Sequence, residues 1–122
     1  MKYEPIEPRD KDEIESAVSR NNPDELLHAV ISANLYADDP EWAESVCLRL
    51  VHHQDFNVRG NAILGFGQFA RIHRKLNASR VKPMIVAALN DVSDYVRGQA
   101  CATADDVEFF LKWKINRPIR PV

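Results

Sequence analysis

The sequence predicts an all-α fold: six helices in three consecutive pairs, stacked as a short solenoid. Three observations carry this. Apolar residues recur at helical spacing in six separate runs. No run alternates apolar and polar residues as a half-buried strand does, and four Gly among 122 residues is few for a chain built on β-turns. The pentapeptide at residues 58–62 recurs in near-identical form 38 residues later.

The elements follow in order. Residues 1–9, punctuated by Pro5 and Pro8, are expected to be extended. Asp10 and Glu13 form a capping-box pair, followed by the apolar stripe Ile14, Ala17 and Val18. Asn22-Pro23-Asp24-Glu25 is a second start: Asn22 caps, Pro23 suits the first helical position and the acids favour the positive helix end. Leu26, Leu27, Val30, Ile31 and Leu35 give its stripe. Asp39-Pro40-Glu41 repeats the signal for a third helix carrying Trp42, Val46, Cys47, Leu50 and Val51 as far as His53-Gln54-Asp55. The fourth helix is expected over 57–72, with Val58, Ala62, Ile63, Phe66, Phe69 and Ala70 inward. The fifth spans 79–89, with Pro83 placed in its first turn. The sixth spans 94–113, with Val96, Ala100, Val107, Phe110 and Leu111 on one side, and the Pro-rich tail 115–122 cannot stay helical. The chain divides as one domain, with an extended segment at 1–9, helix pairs at 10–38, 39–75 and 78–114, and a tail at 115–122.

Charge is balanced overall and divided along the chain. Eighteen Asp and Glu face sixteen Lys and Arg, a net charge of −2. Residues 1–55 hold 13 acids and 5 bases, and residues 56–122 hold 5 acids and 11 bases. The total predicts neither a nucleic-acid binder nor a polyanion mimic, but the halves are strongly polarised. No apolar run is long enough to cross a membrane and no signal-peptide core is seen, so the cytoplasm is the expected location. Cys47 and Cys101 lie among apolar neighbours, which favours buried reduced thiols; a disulfide is the alternative.

Val58-Arg59-Gly60-Asn61-Ala62 matches Val96-Arg97-Gly98-Gln99-Ala100, each after an Asp-containing turn and an amphipathic helix. A period near 40 residues with two helices per unit is the mark of a helical solenoid. Arg59 and Arg97 are expected to bridge the turn acids, Asp55 for the first and Asp91 or Asp94 for the second, tying each turn to its helix. Ala62, Gly65, Gly67 and Ala100 are small enough for neighbouring helices to approach closely, and Gly60 and Gly98 belong to the same motif. With the Leu64-Gly65-Phe66-Gly67 step, these features resemble the HEAT-repeat family over about residues 41–113. That resemblance implies a right-handed α-solenoid of about three helix pairs.

Catalytic and metal chemistry find little support. His28, His52, His53 and His73 include no His-x-x-x-His, and there is no Cys-x-x-Cys. No Ser has a Gly-x-Ser-x-Gly context, and Gly65-Phe66-Gly67 lies mid-helix rather than in a phosphate loop. The expectation is no enzyme, no cofactor, no metal and no small-molecule substrate.

Three surfaces are candidates for a partner. The first combines Tyr36, Asp38, Asp39, Glu41, Trp42, Glu44 and Ser45: aromatic anchors among acids that would steer a basic partner, or a core Trp beside acids serving a helix N-terminus. The second is basic: Arg71, Arg74, Lys75, Arg80 and Lys82, then Lys112, Lys114, Arg117 and Arg120, with Trp113 as its aromatic. The third is implied by the resemblance, in which the second helices line a concave face; its polar positions would be His28, Ser32, Asn61, Gln68, Gln99, Thr103 and Asp106.

A stack this small offers a surface rather than a cavity, so the first expectation is a protein-binding module. By size and architecture the chain is similar to small bacterial HEAT-like immunity proteins of contact-dependent growth inhibition and related polymorphic toxin systems. That resemblance implies a basic toxin domain, often a nuclease, as partner. The alternatives are a nucleic-acid binder akin to the longer HEAT-like DNA glycosylases, and a small scaffold or adaptor.

Overall fold

A computed structural model describes residues 6–118; Met1–Pro5 of the expected N-terminal segment and residues 119–122 of the tail, Arg120 included, lie outside the described residues. Six helices and no strand are found among the described residues: α1 (Lys11–Arg20), α2 (Pro23–Tyr36), α3 (Pro40–Leu50), α4 (Phe56–His73), α5 (Ala78–Ala88) and α6 (Asp94–Leu111).

The helix starts are set by side chains already legible in the sequence. Asp10 accepts from the Glu13 N–H while Glu13 reaches back to the Asp10 N–H, a complete capping box. Asn22 and Asp39 cap α2 and α3 with Pro in the first turn of each. Asp55, Asn77 and Ser93 cap α4, α5 and α6. Three helices end on a left-handed residue: Asn21, Arg74 and Lys112. Three placements differ from expectation, the first being α6, which ends at Leu111 rather than 113 because Lys112 turns left-handed. The third helix stops at Leu50, because residues 51–55 form the turn that Asp55 closes. Pro83 lies inside α5 rather than in its first turn, so its missing N–H removes a bond of the helix interior.

The core lies around α4, which buries ten of its eighteen residues. It packs most extensively on α6, and also on α2, α3 and α5. Neither α1 nor α2 packs against α6, so α4 stands between the first helix pair and the last. The close approaches need small residues. The Tyr95 ring lies where a Cβ on Gly60 would stand, 2.5 Å from its Cε2. A Cβ on Gly65 would stand 2.5 Å from Asn34 Oδ1 and 2.7 Å from Cys47 Sγ. Gly98, the repeat counterpart of Gly60, has open space there.

Both described chain ends fold back. Ser32 on α2 donates to the Glu7 carbonyl (2.9 Å) and accepts from the Arg9 N–H (3.0 Å), which fastens the N-terminal segment along that helix. Ile115 is buried, its N–H donating to Glu108 on α6, and Arg117 ion-pairs with Asp105 and Glu108.

Candidate functional site

The repeated motif comes first, because it orders the turns. Arg59 donates through Nη1 to the carbonyl of His53 (2.9 Å), and Arg97 donates through Nη1 to the carbonyl of Asp91 (2.6 Å). Each is the residue six positions back, so both copies tie the turn to its helix by the same bond. The carboxylate partners differ from expectation. Arg59 pairs with Asp91, not Asp55, because Asp55 is engaged as the α4 cap through the Asn57 and Val58 N–H groups. Arg97 pairs with Asp94. The Arg59 guanidinium beside it holds the Asp91 carboxyl below its ordinary range, aided by the Ser93 N–H. His53 completes the neighbouring turn: its Nδ1 accepts from the Asp55 N–H, and its Nε2 stands 2.7 Å from Asn21 Oδ1.

On the acidic face the structure finds most carboxylates already in use. Asp39 caps α3 and pairs with Lys11 at 2.7 Å. Glu41 reaches Lys75 (3.6 Å) while staying largely exposed, and Glu44 accepts from the Asn77 N–H (2.7 Å). Asp38 is exposed. Trp42 is half-buried, donating through Nε1 to Glu15 (2.9 Å) with the Lys11 ammonium over its ring. Tyr36 is half exposed and its hydroxyl lies 3.4 Å from the Ile6 carbonyl. Sequence reasoning missed Glu15, which takes Arg49 in a two-pronged pair (2.6 and 2.9 Å) as well as Trp42. Those donors lower its carboxyl, Arg49 first. Glu15 lies on α1, while Trp42 and Arg49, seven residues apart, share α3, and nothing local in the sequence links the two helices.

The positions taken as a polar concave face are split by burial. Ser32 and Thr103 are inside: Ser32 holds the N-terminal segment, and Thr103 donates to the Ile63 carbonyl at 3.0 Å. Asn61 is also nearly covered, its amide donating to the Asn57 carbonyl and the Tyr95 hydroxyl. His28, Gln68, Gln99 and Asp106 are partly exposed. His28 places Nδ1 2.9 Å from the Asp24 carbonyl. The Gln68 side-chain oxygen is buried without a hydrogen-bond partner among the described residues. Burial raises the Asp106 carboxyl above its ordinary range against the pull of Arg71.

Cys101 is exposed rather than buried, because its side of α6 faces no other helix. Cys47 is buried, its thiol donating to Asn34 Oδ1 (3.1 Å) and pushed up by burial. Both cysteines are free thiols. Among the described residues no three His, Cys, Asp or Glu are placed to hold a metal ion, and no helix is long and apolar enough to cross a membrane.

The fold has a counterpart among solved structures. A chain in the crystal structure of a CDI complex from Cupriavidus taiwanensis LMG 19424 superposes with a TM-score of 0.76 at 23% sequence identity, covering 90% of this chain and 97% of that one. The two chains share a fold over nearly their whole lengths. No family model matches the sequence, and no curated protein matches it.

Proposed function

We propose that the chain is an immunity protein of contact-dependent growth inhibition, a protein-binding module that binds and neutralises a cognate toxin domain. The observation that carries this reading is the near-full-length likeness to a chain of a CDI complex. The proposed architecture is a short right-handed HEAT-like solenoid. The shared arginine bond to the carbonyl six residues back supports it, as does the separation of the first and last helix pairs by α4. The protein acts by binding, in the cytoplasm, without a cofactor and without catalysis of its own. Its partner is a basic domain, consistent with nuclease chemistry. The 13 acids in residues 1–55 supply a steering field, and Asp38 and Glu41 stand exposed within it.

The deciding experiment co-expresses the chain with the toxin domain encoded directly beside its gene. Restored growth and a complex of the two purified proteins are expected. Persistent growth arrest with the soluble chain present overturns the reading. The surface is tested by Asp38→Lys with Glu41→Lys, since Asp39 is committed to capping α3. The association rate should fall and its salt dependence flatten; an unchanged rate rejects the acidic face as the steering surface.

A further inference from the structure

The outward side of α6 carries an exposed stripe, partnered only by side chains of its own helix and of the tail that follows it. Asp94, Gly98, Cys101, Ala102, Asp105, Phe109 and Lys112 are all exposed, and helical spacing places them within about a 100° arc. Gly98, Cys101, Ala102 and Asp105 are the repeat counterparts of Gly60, Ile63, Leu64 and Gly67 on α4. On α4 that side is an internal helix interface: Tyr95 lies over Gly60, and Asp106 and Thr103 lie against Gly67. On α6 the same side is bare. The space over Gly98 is open and Phe109 is 67% exposed, with the Lys112 ammonium over its ring.

We propose that this stripe is the contact of a two-fold dimer formed by a second copy of the chain, α6 packing antiparallel on α6. The reading is independent of the toxin-binding proposal. Its support is a register that complements itself. With the two-fold axis beside the level of residue 103, Phe109 of each copy comes to the level of the other's Gly98. An aromatic ring then lies over that glycine as Tyr95 lies over Gly60. The same register brings Lys112 to the level of the other copy's Asp94, which pairs with Arg97 of its own chain yet keeps its side chain 95% exposed, so opposite charges meet at both ends. The small residues between allow close helix approach. Asp105 is paired with Arg117 of its own chain, which removes like-charge repulsion near the middle. One helix from each copy makes a smaller contact than a stable interface needs, so the dimer is weak and concentration-dependent.

Sedimentation velocity of the full chain, from dilute to concentrated solution, reads the association. The sedimentation coefficient should rise with concentration. Phe109→Ala should weaken association by about tenfold, as loss of a central aromatic anchor does. Asp94→Lys and Lys112→Asp should each weaken it, and the double reversal should restore it. Thermal melts establish that each variant remains folded. A chain monomeric at every concentration overturns the proposal, as does a dimer indifferent to Phe109→Ala or a double reversal that fails to restore it.

Discussion

Arg59 and Asp91 join the second helix pair to the third through two parallel bonds of 2.8 Å, Nε to Oδ2 and Nη2 to Oδ1. Both side chains are about six-sevenths covered, at 14% and 15% exposure, so the pair is far less screened than a surface salt bridge. Its position explains why a motif arginine is needed at this turn. One guanidinium orders its own turn through the His53 and Gln54 carbonyls and also clamps the turn that follows.

Arg59→Ala should therefore cost about 2–3 kcal/mol, because it removes charge-assisted bonds and leaves Asp91 covered and unpaired. Arg97→Ala should cost less, since its carboxylate partner Asp94 is exposed. Urea unfolding of both variants, with Asp91→Ala and the Arg59/Asp91 double variant, measures the coupling. Equal costs for the two arginines would show that the cross-turn pair contributes nothing. For Arg97→Ala, partner affinity per folded molecule should be unchanged.

The two motif glycines should respond in opposite directions to the same substitution. Gly60→Ala places a methyl group against the Tyr95 ring and should destabilise by about 1–3 kcal/mol. Gly98→Ala meets open space and should stabilise by about 0.5–1 kcal/mol through helix propensity. Chemical denaturation in dilute solution distinguishes them, and a matching sign would contradict the packing described.

These glycines also mark the limit of what sequence reading reaches. Capping residues and Pro at the first turn act locally, so Asp10, Asn22 and Asp39 announced their helices from neighbouring residues alone. The inward residues of α4 followed from spacing, and all six expected there are buried. Partners across helices were hidden. Arg59 faced several acids, and its choice of Asp91 over Asp55 depends on Asp55 being occupied as a cap. Ser32 and Thr103 sit at positions that read as polar surface, yet each can be covered because long-range bonds satisfy its hydroxyl, two at Ser32 and one at Thr103. Of the candidate partner surface, Asp38 and Glu41 remain available by exposure, whereas Asp39, Glu44 and Asn61 are held by internal bonds.

Acid should weaken the fold through the carboxylates that folding lowers, Asp91 and Glu15 among them. Asp91 is lowered by the hydrogen bond from Arg59, and Glu15 by those from Arg49 and Trp42. A carboxyl lowered by folding contributes its full stability above the ordinary range, near about pH 4, and loses it as pH falls through the folded value. Asp106 has the opposite sign: burial raises it, so its ionised form is disfavoured in the folded chain at neutral pH. Asp106→Asn should raise the melting temperature at pH 7, with the gain shrinking toward pH 4. Calorimetry at the two pH values tests this, and a lower melting temperature for the variant at pH 7 would falsify it.

The thiols should separate cleanly. Cys101 should react with a maleimide in the native protein, while Cys47 should stay protected until the chain unfolds. Mass spectrometry after labelling in buffer and in denaturant should show one adduct and then two. Two adducts in buffer would mean that the Asn34, Cys47 and Gly65 contact opens readily.

The central position of α4 makes the chain indivisible. In long repeat arrays each unit leans only on its neighbours, so the ends can fray while the middle holds. Here one helix is the near neighbour of four others, and its glycine hollows are filled from both flanks by Asn34 and Tyr95. Losing either flank uncovers a wall of the same helix, which leaves no intact remainder to persist. The molecule should melt as a single cooperative unit despite its repeated sequence.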